Sequence, residues 1–270
     1  MNLSSEERQE AKKRIEKKRS LYFEVVCCLG YIACRSWIIA GFPKQIRSRE
    51  ILTARMSIKE GYLATYNGVQ LMGWAYILSL YISESFIRKN WFKPSTQVDV
   101  LLRLFQSLAI MEVIHAAIGL VRSSVITTLM QISSRLLVVW GILYIIPEAT
   151  NSNFGVPLIV ISWSIAEMVR YTYYMADICG VKLYFLTWLR YSAFMVLYPT
   201  GISGEVLLMV SGIKRLKETG KYSVDLPNAS NCSFSYLIAL VVTLVIYIPG
   251  SKVMYTHMLR QRKKTIQKSD

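Results

Sequence analysis

The chain has 270 residues, of which 53% are hydrophobic and only 18% charged, and it carries a formal net charge of +15. That is too apolar for a soluble domain with a hydrated surface, and it sets the chain among integral membrane proteins. The basic balance would suggest nucleic acid in a soluble protein, but no RNA- or DNA-binding motif accompanies it and no aromatics interleave with the charges. Nucleic acid is excluded as a partner, and the charge is read as a topology signal.

Residues 1–20 contain Arg8, Lys12, Lys13, Arg14, Lys17, Lys18 and Arg19, and the C-terminal tail contains Arg260, Arg262, Lys263, Lys264 and Lys268. Because Lys and Arg flank membrane spans on the cytosolic side, both termini read as cytosolic. Residues 21–42 are long enough to span, yet they carry Glu24 and Arg35 and lead into a basic loop with Lys44, Arg47, Arg49, Arg55 and Lys59. The segment is read as an interfacial or re-entrant helix; a true extra span is the alternative, and it would put the termini on opposite faces. A cleaved signal peptide is not expected, because the charged region before it is too long.

Six segments then follow, at 62–87, 101–121, 125–147, 156–178, 183–211 and 235–256, each with about the 20 mostly apolar residues that a bilayer requires. The expected fold is an all-α integral membrane protein, a six-transmembrane-helix bundle with a basic N-terminal extension. Its parts are residues 1–60 as the extension, 61–257 as the membrane domain and 258–270 as a basic cytosolic tail. Short connections, the tightest from Arg122 to Ser124, make neighbouring helices antiparallel. The loop at 212–234 is expected to be lumenal. It holds Lys214, Arg215, Lys217 and Lys221, against the charge rule, together with the sequons Asn228-Ala-Ser and Asn231-Cys-Ser, which need the lumenal side.

Polar residues inside the spans carry more information than the spans themselves. Asn67 and Gln70 share a face of the first, Glu112 and His115 lie one turn apart in the second, and Gln131, Ser134 and Arg135 cluster in the third. Glu167, Arg170 and Asp177 fall in the fourth, then Arg190 and Glu205 in the fifth. Such groups are expected to face the bundle interior and pair, Glu167 with Arg170 as helix glue for example.

Several chemistries are excluded by counting. Membrane desaturases need many histidines to hold iron, and this chain has only His115 and His257. Glu112-x-x-His115 is half of a di-iron motif whose other half is missing. The five cysteines, Cys27, Cys28, Cys34, Cys179 and Cys232, have no CxxC spacing and imply neither a disulfide framework nor a metal site. The stretch from His115 to Arg122 has the frame of a cysteine phosphatase loop, but Ala116 stands where the thiolate nucleophile is required.

The fifth span holds the anomaly of the chain, Tyr198, Pro199, Gly201, Gly204 and Glu205 within one apolar segment. A carboxylate at the bilayer centre costs about 2.5–3.5 kcal/mol on insertion scales and marks a functional site by default. Seven residues are two helical turns, so Tyr198 and Glu205 share a side and lie about 10.5 Å apart along the axis. Pro199 and the two glycines are expected to break the helix or admit a close approach, and irregular backbone at that depth needs a surrounding pocket. The structural alternative is a kinked packing helix whose glutamate pairs with Arg190 or Arg135. A phenol that donates and a carboxylate that accepts suit proton transfer without a cofactor, as in eliminating water from a 3-hydroxyacyl thioester. The residues alone do not name that substrate.

The stretches YLATYN and GW at 62–74, MEVIHAAIGLVRSS at 111–124, MQISSRLLVVW at 130–140, SWSIAEMVRYTYY at 162–174, RYSAFMVLYPTGISGE at 190–205, and LPN with SFSY at 226–236 recur in one order in a known family. From about Gly61 onward the chain resembles the very-long-chain (3R)-3-hydroxyacyl-CoA dehydratases, also called protein tyrosine phosphatase-like proteins. The resemblance implies that Tyr198 and Glu205 are the catalytic pair, in an intact LYPxGxxGE motif. It further implies residence in the endoplasmic reticulum membrane, the third step of fatty-acid elongation, a long-chain 3-hydroxyacyl-CoA substrate, and elongase condensing enzymes and reductases as partners, with no cofactor. Within the matching motifs Arg190, Tyr191, Glu167, Arg170 and Tyr171 are candidates for substrate binding or support. Arg122 stands where the family often has proline and Ala116 where it commonly has cysteine. Two readings compete: a catalytically silent membrane scaffold, and a transporter, for which neither an internal repeat nor paired broken helices is found.

Overall fold

A computed structural model describes residues 57–151, 153–181, 183–220, 223–224 and 234–266. Residues 1–56 of the basic extension, with the segment 21–42, both sequons and Cys27, Cys28, Cys34 and Cys232, lie outside the described residues.

The described chain is helical, apart from a two-residue antiparallel pair of β1 (Ser223–Val224) with β2 (Phe234–Ser235). Helix α1 (Ile58–Arg88) opens on a capping box: Ser57 Oγ accepts from the Glu60 amide while Glu60 Oε2 accepts from the Ser57 amide at 2.9 Å. Helix α2 (Thr96–Leu108) is capped by Ser95, whose hydroxyl accepts from the Val98 amide, and after Ala109 the rod continues as α3 (Ile110–Ala117). Helix α4 (Val125–Leu136) runs into a π-helical stretch, Leu137–Tyr144, and a 3₁₀ turn follows at Pro147–Thr150. The remaining helices are α5 (Gly155–Ile178), α6 (Tyr184–Ser192), α7 (Phe194–Thr219) and α8 (Tyr236–Ile266).

The six expected segments are thus six helical rods, with three shifts of boundary. The second rod ends at Ala117, because Gly119 turns the chain at a φ of 72°, and its connection to α4 is longer than the tight turn expected. The basic residues Lys214, Arg215 and Lys217 are not in a loop: α7 carries them on to Thr219, where Gly220, at a φ of 61°, ends it and donates its amide to the Leu216 carbonyl. Cations in the last turns suit the helix dipole, and Arg215 also bonds Glu218 at 3.0 Å. The last rod passes the expected end at 256 and carries Arg260, Arg262, Lys263 and Lys264 in helix.

Among the described residues four rods are long and apolar enough to cross a membrane: Thr96–Ala117, Val125–Tyr144, Tyr184–Thr219 and Tyr236–Thr265. The chain is a multi-pass membrane protein. Helices α1 and α5 are long as well but interleave Asn67 and Gln70, or Glu167, Arg170 and Asp177, with their apolar residues. On α8, Ile238, Val242, Val245, Ile246, Ile248 and Val253 are all exposed, a surface that is unfavourable in water and at home in lipid.

The described residues divide into two compact units, one holding residues 57–71 and 170–183, the other 72–169 and 184–266. In the first, Asn67 and Gln70 are buried, as the shared face predicts, and Gln70 donates to the Tyr66 hydroxyl at 3.1 Å. The Tyr66 and Tyr171 rings meet edge to face at 6.4 Å. Asp177 departs from the expectation of an inward charge: it is exposed, in the last turn of α5.

In the second unit, α7 and α8 pack antiparallel, and α7 also lies against the start of α5. Gly204 sets that approach: a Cβ there would stand 2.8 Å from Ile159 Cγ2 and 2.9 Å from the Gly155 carbonyl oxygen. Small residues let membrane helices approach this closely. Helix α7 runs unbroken through Pro199, so the expected break is absent and the close approach is what the glycines serve. Pro199 lies within two turns of the helix start, and the Thr200 hydroxyl donates to the Val196 and Leu197 carbonyls beside it. The π-helical stretch has its own contact, Tyr236 donating to the Gly141 carbonyl at 2.8 Å, where a Cβ on Gly141 would collide with the phenol oxygen.

Candidate active site

The α7 helix presents Tyr198 and Glu205 two turns apart on a continuous backbone, so the rise of about 10.5 Å expected from the spacing holds. Helix α8 faces them in the opposite direction with Tyr247, Ser251 and Tyr255, which recur every four residues and therefore share one face. Glu205 meets the first of these and Tyr198 the other two.

Glu205 is buried, 6% exposed, and both carboxylate oxygens are engaged. Tyr247 donates its hydroxyl hydrogen to Oε2 at 2.6 Å, and the Trp163 indole N–H donates to Oε1 at 3.2 Å. Burying a carboxylate is unfavourable unless hydrogen bonds replace its water, and here two neutral donors do so.

Tyr198 is half-buried. Its hydroxyl donates to the Ser251 carbonyl at 3.4 Å, a long bond and easily exchanged, and its ring stacks on Tyr255 with centroids 6.0 Å apart. The phenol is therefore held by its ring, with its proton loosely bonded. Glu205 and Arg135 both act on it electrostatically.

Arg135 does not pair with Glu205. Its guanidinium is bonded to Glu167 Oε1, and the same guanidinium lies over the Trp163 ring at 5.3 Å. Glu167 is thereby tied across helices to α4. The chain of contacts runs Glu167, Arg135, Trp163, Glu205, Tyr247, and it draws on α5, α4, α7 and α8.

Arg170 and Tyr171 belong to the first unit, where Arg170 Nη2 donates to the Tyr171 hydroxyl at 2.9 Å and the guanidinium lies over that ring. Arg190 and Tyr191 close α6, just before α7 begins, with the guanidinium 5.9 Å from the Tyr191 ring centroid. The neighbouring Ser192 hydroxyl accepts from Arg262 Nε of α8 at 3.3 Å. Among the described residues no three His, Cys, Asp or Glu side chains are grouped to hold a metal ion.

Trp163, Tyr247, Ser251 and Tyr255 went unnamed in the sequence reading. A signal existed for three of them, the Tyr-x-x-x-Ser-x-x-x-Tyr spacing in an otherwise apolar helix. Trp163 was legible only as one turn before Glu167.

Comparison with known proteins gives the site its context. The model of the family described as protein tyrosine phosphatase-like protein, PTPLA, matches residues 106–268, more than half the chain and both Tyr198 and Glu205. The very-long-chain (3R)-3-hydroxyacyl-CoA dehydratase PASTICCINO 2B of Oryza sativa subsp. japonica is 42% identical over 214 residues, covering 79% of this chain and 96% of that protein. The dehydratase hpo-8 of Caenorhabditis elegans is 39% identical over 76% of this chain and 94% of its own length. The human very-long-chain (3R)-3-hydroxyacyl-CoA dehydratase 2 is 34% identical over 77% and 82%. No solved structure is significantly similar.

Proposed function

The chain belongs to the protein tyrosine phosphatase-like family, and from that premise we propose how Glu205 and Tyr198 do the family's chemistry. The protein is a very-long-chain (3R)-3-hydroxyacyl-CoA dehydratase, an enzyme of very-long-chain fatty-acid elongation.

Glu205 is the base that removes the proton at C2 of the acyl thioester, and Tyr198 is the acid at the C3 oxygen. As the C2–H bond breaks, its electron pair passes onto the thioester as an enolate, and it then forms the C2–C3 double bond as the C3–O bond opens. The hydroxyl departs with the Tyr198 proton as water, and the glutamic acid and phenolate then exchange the remaining proton to restore the start. The observation that carries this assignment is the pair of neutral donors on Glu205, which hold the carboxylate without a cation bonded to it, while the Tyr198 hydroxyl already acts as a donor.

The setting proposed with it is a six-span domain over residues 61–257 in the endoplasmic reticulum membrane, with a basic extension before it, a basic tail after it and both termini cytosolic. The acyl chain lies among the helices or in lipid, and the CoA end stays cytosolic near Arg190 and Tyr191. Elongase condensing enzymes and reductases are its partners. Glu167, Arg170 and Tyr171 serve as framework.

The test is direct. Protein purified in detergent and given a long-chain 3-hydroxyacyl-CoA forms the trans-2-enoyl-CoA. No turnover at any chain length would leave the scaffold reading in its place.

A further inference from the structure

The last helix holds the carboxylate of the catalytic pair, from outside the motif that contains the pair. Each carboxylate oxygen of Glu205 offers two lone-pair sites, so the Tyr247 bond to Oε2 occupies one and fixes the direction in which the other points. At 2.6 Å this contact is in the short range of charge-assisted O–H···O bonds, whereas the 3.2 Å indole contact is at the long end for N–H···O. Of the two donors, Tyr247 exerts the stronger hold. Helix α8 carries it in register with Ser251 and Tyr255, which meet Tyr198, so one helix face aligns both reacting groups.

We propose that Tyr247 is a positioning residue of the dehydration, its hydroxyl aiming the open lone pair of Glu205 at the C2 hydrogen of the substrate. The proposal rests on the dehydratase reading and adds to it a residue and a division of labour. Tyr247 transfers no proton: the C2 proton goes to Glu205, and the tyrosine keeps its own as donor throughout. It follows that Tyr247 serves the C2 half of the reaction and leaves the C3 half to Tyr198.

Tyr247→Phe removes the hydroxyl and keeps the ring. Misplacing a reacting group by about 1 Å costs on the order of 100-fold, so kcat is expected to fall by about 10- to 100-fold, with KM within about twofold of wild type. Hydrogen–deuterium exchange at C2 should fall by the same factor, and the melting temperature should stay unchanged. Turnover and exchange equal to wild type overturn the proposal. So does lost turnover with C2 exchange intact, which assigns the hydroxyl to the C3 side, or a raised KM with kcat preserved, which makes it a substrate contact.

A second measurement needs no turnover. In pH-difference infrared spectra of the membrane-embedded protein, the Glu205 carboxyl band is the one that disappears in Glu205→Gln, and it is expected to shift in Tyr247→Phe. An unshifted band overturns the proposal whatever the kinetics. A shifted band in a protein whose wild type makes no enoyl product refutes the dehydratase reading, and the catalytic role of Tyr247 with it, while leaving the hydrogen bond established.

Discussion

Two buried glutamates in one unit of this protein are held in opposite ways. Glu167, 2% exposed, has the Arg135 guanidinium on one carboxylate oxygen; Glu205, 6% exposed, has an indole N–H and a phenol O–H. Protonating Glu167 would leave Arg135 facing a neutral group in a poorly solvated interior, so that carboxylate is committed to its cation. Protonating Glu205 takes no counter-charge from any cation bonded to it. The difference teaches which carboxylate a membrane interior can use as a base: burial alone does not decide it, but the charge of the donors does. Trp163 stands between the two, its N–H on Glu205 and its ring under Arg135.

The comparison breaks most visibly in paired substitutions. Glu205→Gln and Tyr198→Phe are each expected to lower turnover by about 10²- to 10⁴-fold, the usual contribution of a general acid or base, with the melting temperature little changed. In the C2 exchange assay the tyrosine variant should retain exchange and the glutamine variant lose it. Full activity in either would remove that residue from the mechanism. Glu167→Gln should do the reverse, losing about 3 kcal/mol of stability because Arg135 is left uncompensated, while the protein that stays folded turns over normally. Replacing both, Arg135→Leu with Glu167→Leu, should cost less than replacing Glu167 alone, and denaturant titration of these two variants beside the wild type measures this. A Glu167→Gln variant that is stable but inactive would exchange the roles of the two glutamates.

Next in size is the seam that brings Glu205 against α5. Gly204→Ala puts a methyl within 3 Å of the Gly155 backbone oxygen and of Ile159 and Leu158, and backbone cannot turn aside as a side chain can. Overpacking of this kind costs about 1–3 kcal/mol. The expected loss is of stability first, with turnover falling because Trp163 moves away from Glu205; the thermal shift and kcat of Gly204→Ala report the two separately.

Much of this was legible in the sequence, and the parts that were not share a cause. Six rods follow from apolar run length, since a bilayer sets the length of whatever spans it. Tyr198 and Glu205 stand out because a carboxylate, a phenol and a proline are conspicuous in an apolar helix and because seven residues return to the same side. The continuity of α7 through Pro199 was not legible, since the substitution that breaks a long helix is tolerated near a helix start, where fewer bonds are at stake. Nor was the extension of α7 to Thr219, because Lys214, Arg215 and Lys217 read as loop by charge although they are good helix formers. Partners across helices were the least legible: Glu167 joins Arg135 thirty-two residues earlier, and Glu205 joins Tyr247 forty-two residues later. Periodicity tells which side of a helix a residue occupies, and no spacing tells which other helix will face it.

The smallest effect gives the sharpest test, because Trp163 belongs to both glutamates. Trp163→Phe removes the N–H from Glu205 but leaves a ring for the Arg135 guanidinium, so it separates the two connections in one substitution. The bond is long, at 3.2 Å, and Glu205 keeps Tyr247, so the orientation of the carboxylate loosens without being lost. A hydrogen bond to a charged group contributes about 1.5–3 kcal/mol, and a long one sits at the low end of that range, which corresponds to roughly a tenfold loss of kcat. Stability should fall by less than in Glu167→Gln, since the ion pair survives. If Trp163→Phe instead lowers the melting temperature and leaves kcat intact, the indole serves Arg135 and Glu167, and Glu205 is oriented by Tyr247 alone. If both quantities hold, the contact between the two glutamate environments carries no energy, and each must be explained without the other.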